Sequence, residues 1–361
     1  MSLTPPGARK GRGATLNPDN RFFRQHSTRE DDGWTPDTDG GPRLATTVTI
    51  QQSRTIISHN RSPDVPFTQS INPYQGCEHG CVYCFARPTH AYLDLSPGLD
   101  FETKLFAKPD AAVLLRKELA HARYQVSPIN LGANTDPYQP VEKRWRITRS
   151  LLEVMLETQH PVTIVTKNAL VLRDLDLLQQ LAALQLVQVF VSVTSLAADL
   201  TQKLEPRASA PHRRLHTIRE LAAAGVPVGA LVAPVIPFVN DAEMEAILEA
   251  VAAAGAQQAG WILLRLPHEV KELFRDWLAT HEPLKAARVM AVIQGARGGR
   301  DNDPRFGHRM RGEGEYAGLL AKRFAVAVRR LGLNRERMAL RCDRFLRPGA
   351  PLPEMPQLPL F

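Results

Sequence analysis

The chain has 361 residues, 43% of them hydrophobic and 6% aromatic, and a net charge of +8. That is ample apolar material for one large core of the size α/β barrels reach, but few aromatics for a module that binds single strands by base stacking alone. No stretch approaches the ~18 uninterrupted apolar residues of a membrane-spanning helix, and no apolar segment follows the basic residues near Met1, so a cytoplasmic protein without a membrane partner is expected.

Residues 1–44 are rich in Gly, Pro, Asp, Asn and Arg and read as a mobile or loosely docked arm. A strand is expected over 46–58 and a short one over 69–74. The chain then alternates. Helices are expected at 111–126, 148–159, 172–184, 212–225 and 241–255, with Gly225 as a C-cap and Asp241 as an N-cap. Between them lie strands at 128–134, 161–167, 187–195, 227–235 and 260–266. These strands are near-continuous apolar runs, as parallel strands covered on both faces should be. Such alternation leaves two architectures, a doubly wound open sheet or a complete or partial (β/α) barrel, and both put functional loops at the carboxyl ends of the strands. Two further helices are expected at 268–281 and 316–331, with a Gly- and Arg-rich loop at 294–315 between them.

The charge is concentrated. Arg297–Arg347 holds 14 Lys and Arg against 6 Asp and Glu, an excess equal to the whole net charge. The segment is either a solvated arginine-rich surface or a patch facing a polyanion such as nucleic acid.

Three of the four cysteines sit in GCEHGCVYCFARPTH, residues 76–90, as Cys77-x3-Cys81-x2-Cys84, and the fourth is Cys342. This is no secreted disulfide framework, and the crowding points to a metal. Three centres compete. Structural zinc would need His79 or His90 as a fourth ligand. A ferredoxin-type carrier would need Cys342. A 4Fe-4S cluster with three thiolates would keep one iron open, which is what separates catalytic from purely structural metal sites.

The spacing C-x3-C-x-aromatic-C, with Tyr83 as the aromatic, opening a β/α series, resembles the radical S-adenosylmethionine (SAM) superfamily. Further segments, SPDVPFTQSINPY, ANTDPYQPVE, TKN, LEPRASAP and LVAPV, are similar to the branch that includes spore photoproduct lyase, over roughly residues 55 to 266. The resemblance implies a partial (β/α)6 TIM-like barrel as core (45–282), after the arm (1–44) and before a basic C-terminal helical extension (283–361). It implies a 4Fe-4S cluster on Cys77, Cys81 and Cys84, SAM on the open iron, and a flavodoxin- or ferredoxin-like electron donor. SAM would then be cleaved to a 5′-deoxyadenosyl radical that takes hydrogen from a substrate. Carried over by position, Tyr83 lies near the adenine, Lys167, Ser192 and Ala233 contact SAM, and Asn134 and Asp136 occupy the place of the motif that binds its amino group. Arg207 is placed to meet the SAM carboxylate or to pair with Glu205. The branch also uses a hydrogen-donating cysteine near the end of its second strand, where this sequence has Asn134. Repair of the spore photoproduct is therefore not expected, unless Cys342 returns as donor; a structural cysteine is the plainer reading.

Other residues have ordinary readings. His79 and His90 are expected to hydrogen-bond within the loop rather than ligate. Arg87 either tunes the cluster or faces solvent, and GARGGR (295–300) lacks the flanking strand and helix of a dinucleotide fingerprint. The substrate is unspecified, with nucleic acid the first expectation. The competing reading is a nucleic-acid-binding protein whose metal centre is structural.

Overall fold

Six parallel strands run in the order in which they occur along the chain. A computed structural model describes residues 11–22, 44–336 and 338–349. Its strands are β1 (Thr47–Ile50), β2 (Ile57–His59), β3 (Gln69–Ile71), β4 (Tyr74–Gln75), β5 (Lys104–Ala107), β6 (Ile129–Leu131), β7 (Val162–Thr166), β8 (Val187–Ser192), β9 (Val228–Val235) and β10 (Gln258–Leu263). The main sheet has the order β10-β9-β8-β7-β6-β3-β2, with only β2 antiparallel to its neighbour. Parallel pairing runs without interruption from β3 to β10. Laid flat at the ~4.8 Å spacing of paired strands, β3 and β10 would be ~24 Å apart. Instead, residues of all six strands line one cavity. The sheet therefore curves into a partial barrel open between β2 and β10, one of the two architectures the alternation left open and the one the resemblance implies.

Apolar strand faces meet the buried stripe of each connecting helix. Leu151, Leu152 and Met155 of Ile147–Glu157 and Leu178 and Leu181 of Leu175–Ala183 are fully buried. Helix Pro211–Ala223 ends as expected, with Gly225 in the left-handed region just beyond it at φ 74°.

Several details differ from expectation. The strand expected over 46–58 is two strands, β1 and β2, separated by an irregular stretch, and they join different sheets. The strand expected over 69–74 also divides. Its second half, β4, turns away to pair with β5 in a small sheet of order β1-β5-β4. Asp241 is not an N-cap; a 3₁₀ turn occupies Asp241–Glu243, and the Asp241 carboxylate accepts from Tyr316 (2.7 Å). A helix at Ala286–Gly295 was not expected at all.

Of the expected mobile arm, residues 11–22 are docked. Arg12 donates to the Glu102 carbonyl (2.8 Å), and the amides of Gly13 and Ala14 donate to the Glu102 carboxylate (3.1 and 2.8 Å). A Cβ at Gly13 would lie 1.7 Å from the Gly80 carbonyl, so only glycine permits this approach. Residues 1–10 and 23–43 lie outside the described residues.

The C-terminal segment covers the free edge of β10. The Leu263 amide donates to the Met310 carbonyl (2.9 Å), and the Asn334 side chain bonds both the amide and the carbonyl of Ala259 (2.8 and 2.9 Å). An edge strand left open would invite pairing with another chain, and here it is occupied.

Candidate active site

The carboxyl ends of the barrel strands open into a cavity of about 570 Å³. Cys77, Cys81 and Cys84 all line it, on the loop that leaves β4. Gly76 and Gly80 turn this loop at φ 76° and 68°. Behind it, Arg87 is fully buried and donates to the carbonyls of Cys81 (2.8 Å), Pro97 (3.1 Å) and Gly98 (2.8 Å) and to the Glu102 carboxylate (2.5 Å). It does not face solvent, and its charge opposes burial at Cys84. One buried ion pair thus holds both the cysteine loop and the docked segment at Arg12–Ala14.

Burial pushes the Cys77 and Cys81 thiols well above their usual range, the carboxylates of Asp136 and Glu205 respectively adding to the shift. Burial also raises Cys84. Without a cation these groups are neutral thiols, whereas a positively charged iron centre stabilises them as thiolates. Three such donors facing one cavity fit a cluster held by three ligands.

The fourth ligands that other centres require are engaged elsewhere. His79 is buried, its Nδ1 facing Asp136 at 3.3 Å and its Nε2 accepting from Asn168 (3.1 Å). His90 Nε2 meets the Lys104 carbonyl (2.9 Å), with the ring edge-on to Phe101. Cys342 lies at the opposite end of the barrel. There Arg341 donates to the carbonyl of Gln185 and Leu346 to that of Thr158, residues that precede β8 and β7. Among the described residues, no group of three His, Cys, Asp or Glu side chains is placed to hold a single metal ion.

Of the residues assigned to SAM, Tyr83, Asn134, Asp136, Lys167, Ser192 and Ala233 line the cavity, and Arg207 does not. Arg207 pairs with Glu78 (3.1 Å), neither with Glu205 nor toward the cavity. Asp136 is heavily committed: its carboxylate accepts from the amides of Tyr138 (2.9 Å) and Lys167 (2.7 Å) and from the Thr166 hydroxyl (2.7 Å), besides facing His79. Burial pushes its carboxyl up, but His79 and these donors prevail and hold it below the usual range. Asp136 therefore ties three loops together, and Asn134 beside it carries a side-chain amide with no hydrogen bond to the described residues.

The sequence did not announce Glu205 as a centre. Its fully buried carboxylate accepts from Tyr83, Thr194 (2.6 Å) and Arg214, with Lys167 Nζ at 3.8 Å. Burial raises its pKa against the opposing charge of Arg214. Arg214 also donates to the carbonyls of Ser192 (3.1 Å) and Ser209 (2.7 Å), so one ion pair orients Tyr83, Lys167 and the end of β8 toward the cysteines. Burial lowers the Lys167 pKa while the neighbouring thiols and Asp136 resist the shift. The signal was present in LEPRASAP, but nothing in sequence distinguishes Arg214 from a surface arginine of its helix.

The family model described as the Radical SAM superfamily matches residues 71–251, half of the chain. An uncharacterized protein of Mycobacterium tuberculosis is 37% identical over 232 residues, 64% of this chain and 68% of that protein. Another, of Methanocaldococcus jannaschii, is 26% identical over 176 residues, 48% of this chain and 62% of that protein. Among solved structures, spore photoproduct lyase complexed with dinucleoside spore photoproduct superposes with a TM-score of 0.58 at 16% identity, covering 79% of this chain and 80% of the other. The chain belongs to the radical SAM superfamily. The likeness to the lyase is one of fold.

Proposed function

We propose that this protein is a radical SAM enzyme whose 4Fe-4S cluster is held by Cys77, Cys81 and Cys84 and whose substrate is nucleic acid or a fragment of it. The observation that carries the reading is three buried thiols on one loop, facing a single cavity at the carboxyl ends of six parallel strands. When bound, the cluster supplies an electron that cleaves SAM to methionine and the 5′-deoxyadenosyl radical, which takes hydrogen from the substrate. An external electron donor of the flavodoxin or ferredoxin kind is required, and a cytoplasmic setting suits it.

The remaining roles fall to the chain itself. Tyr83, fixed by Glu205 and Thr194, offers a ring face for the adenine. Lys167, at the end of β7, supplies a cation for the SAM carboxylate. Asn134 offers an amide oxygen to its ammonium. Ser192 and Ala233 leave the ends of β8 and β9 shallow enough for the cofactor to lie across them. Closure of the cysteine loop over these strands keeps water from the reacting atoms.

Nucleic acid as substrate class draws support from the structural neighbour whose complex contains a dinucleoside photoproduct. The basic C-terminal segment supports it less than its composition suggests. Arg305, Arg309, Arg323 and Arg330 pair with Asp303, Asp64, Glu245 and Glu249, and Arg297 is buried against backbone carbonyls. Spore photoproduct repair is not proposed, because Cys342 cannot serve as donor from the far end of the barrel.

Anaerobic reconstitution tests the reading. Four irons per chain and reductive formation of 5′-deoxyadenosine are expected; one tetrahedrally bound zinc with no SAM cleavage would leave the binding-protein alternative instead.

A further inference from the structure

The cavity has two unlike walls. Near the cysteine loop, the cation of Lys167 faces Glu205 and the thiols. Just beyond the end of β10, Arg265 also lines the cavity, and it pairs with no carboxylate among the described residues. The Arg265 Nη1 meets only the weak acceptor Met310 Sδ (3.5 Å), and its Nε is buried without a partner. Asp64, whose charge bears on it, already accepts from Arg309 and from the Gly307 amide (2.7 Å). Burial, then the like charges of Arg309 and Arg297, push the Arg265 guanidinium down to about 10. A half-buried cation among like charges is a site the fold holds at a cost, and an incoming anion relieves it.

Two neighbours give that anion a setting. The guanidinium lies over the ring of Phe85, 5.5 Å from its centroid, and Phe85 directly follows the last cysteine of the loop. Phe85 lines the cavity while 48% exposed. On the cavity floor, Asn130 donates to Thr163 (2.9 Å) while its Oδ1 is buried with no donor. The cavity thus presents an unmatched donor, an unmatched acceptor and an open aromatic face.

We propose that Arg265 is the substrate-recognition residue, binding an oxyanion of the substrate, phosphate or carboxylate, so that the substrate's flat apolar part lies on Phe85 beside the cysteine loop. The inference rests on the radical SAM reading, because it describes the substrate's side of the same cavity. A planar guanidinium binds such a group through two parallel hydrogen bonds. A substrate N–H or O–H reaching Asn130 Oδ1 completes the match.

The test uses the full chain with its cluster reconstituted and measures binding by calorimetry, which needs no turnover. Two pairs of probes serve: thymidylyl-thymidine against its uncharged methylphosphonate analogue, and N-acetylglycine against N-acetylglycinamide. The charged member of at least one pair is expected to bind roughly tenfold or more tighter than its neutral partner. Arg265→Gln is expected to erase that difference. The pair that shows it identifies the oxyanion as phosphodiester or carboxylate. Equal binding of charged and neutral probes, no binding of either anion, or an undiminished difference in Arg265→Gln would overturn the proposal. Should Arg265→Gln lose its cluster absorbance and fail to fold, the charged-against-neutral comparison in the unaltered protein still decides. A protein that binds the anion but never cleaves SAM refutes the radical reaction and leaves this site standing, and the converse result does the reverse.

Discussion

The two ends of the barrel are built on opposite principles. At the floor, Tyr124, His160 and Phe345 pack ring against ring, with centroids 5.5–5.8 Å apart. The C-terminal tail bonds across them, and Cys342 sits among these contacts. At the mouth, buried carboxylates and guanidinium groups take the place of rings, and atoms of Arg265 and Asn130 are left without partners. Both ends are ordered, but the polar atoms left without partners at the mouth, Arg265 Nε and Asn130 Oδ1, belong to residues that line a cavity, whereas Arg344 Nε at the floor belongs to a residue that does not. The difference separates the four cysteines: three line the cavity at the mouth, and Cys342 lies with the tail at the floor.

The sharpest way to break this contrast is to remove a thiol from each end. Cys84→Ala is expected to abolish cluster absorbance and 5′-deoxyadenosine formation, whereas Cys342→Ala assembles the cluster normally. Loss of the cluster in Cys342→Ala would show that the two ends are not separate. Next in size is the ion pair beneath the mouth. Glu102→Ala strands a fully buried Arg87 and two amides of the docked segment, so a loss of about 3–5 kcal/mol in unfolding free energy is expected. Calorimetry and denaturant titration measure it, and a change below about 1 kcal/mol would mean that the segment at Arg12–Ala14 does not brace the cysteine loop.

How much of this was legible in the sequence follows the same divide. The barrel strands were visible because burial on both faces writes an apolar run, and the helices because one buried stripe writes a 3.6-residue period. β5 was not, since Lys104–Ala107 is four residues long and half of it faces outward. The helix Ala286–Gly295 was not, since it is only ten residues long and its last two open the segment read as a glycine-rich loop. The cysteines were legible through spacing alone. Their supports were not: Arg87 meets Glu102 and Arg214 meets Glu205 through folds of the chain, and a buried ion pair leaves no periodic trace. For the same reason Arg207, inside a recognised motif, attracted the pairing with Glu205 that Arg214 makes instead.

The floor should respond to pH in a way the mouth's supports do not. The Nδ1 of His160 donates to the Pro161 carbonyl (2.9 Å), and its Nε2 lies 2.7 Å from the Tyr124 hydroxyl, which also donates to Gln69 Oε1 (2.6 Å). Burial pushes its pKa down to about 4 from an ordinary 6.5. The unfolded chain therefore binds the extra proton first. The stabilisation is complete above pH 6.5, falls as pH drops toward 4, and is constant below that, by a total of about 3 kcal/mol. Tyr124, Glu118, Cys342 and Arg347 are the titratable or charged groups around it. Melting temperature measured from pH 7 to 4 should fall in the unaltered protein and fall distinctly less in His160→Phe. Parallel curves for the two would remove His160 as the cause.

The smallest effect is expected where the sequence suggested a larger one. Arg207 is about one-third exposed and holds Glu78 at 3.1 Å, and its amide donates to the His79 carbonyl, a bond that no side-chain substitution removes. A pair of this exposure contributes about 0–1 kcal/mol. Arg207→Ala should therefore lower stability by less than about 1 kcal/mol and shift SAM affinity, measured by calorimetry on the reconstituted protein, by less than about threefold. Lys167→Ala, which removes the cation that does line the cavity, should weaken SAM binding roughly tenfold or more. The ratio of the two is the informative quantity. If Arg207→Ala were the more damaging, the loop carrying LEPRASAP would have to swing its guanidinium off Glu78 and into the cavity on binding, and the mouth would be mobile where the floor is fixed.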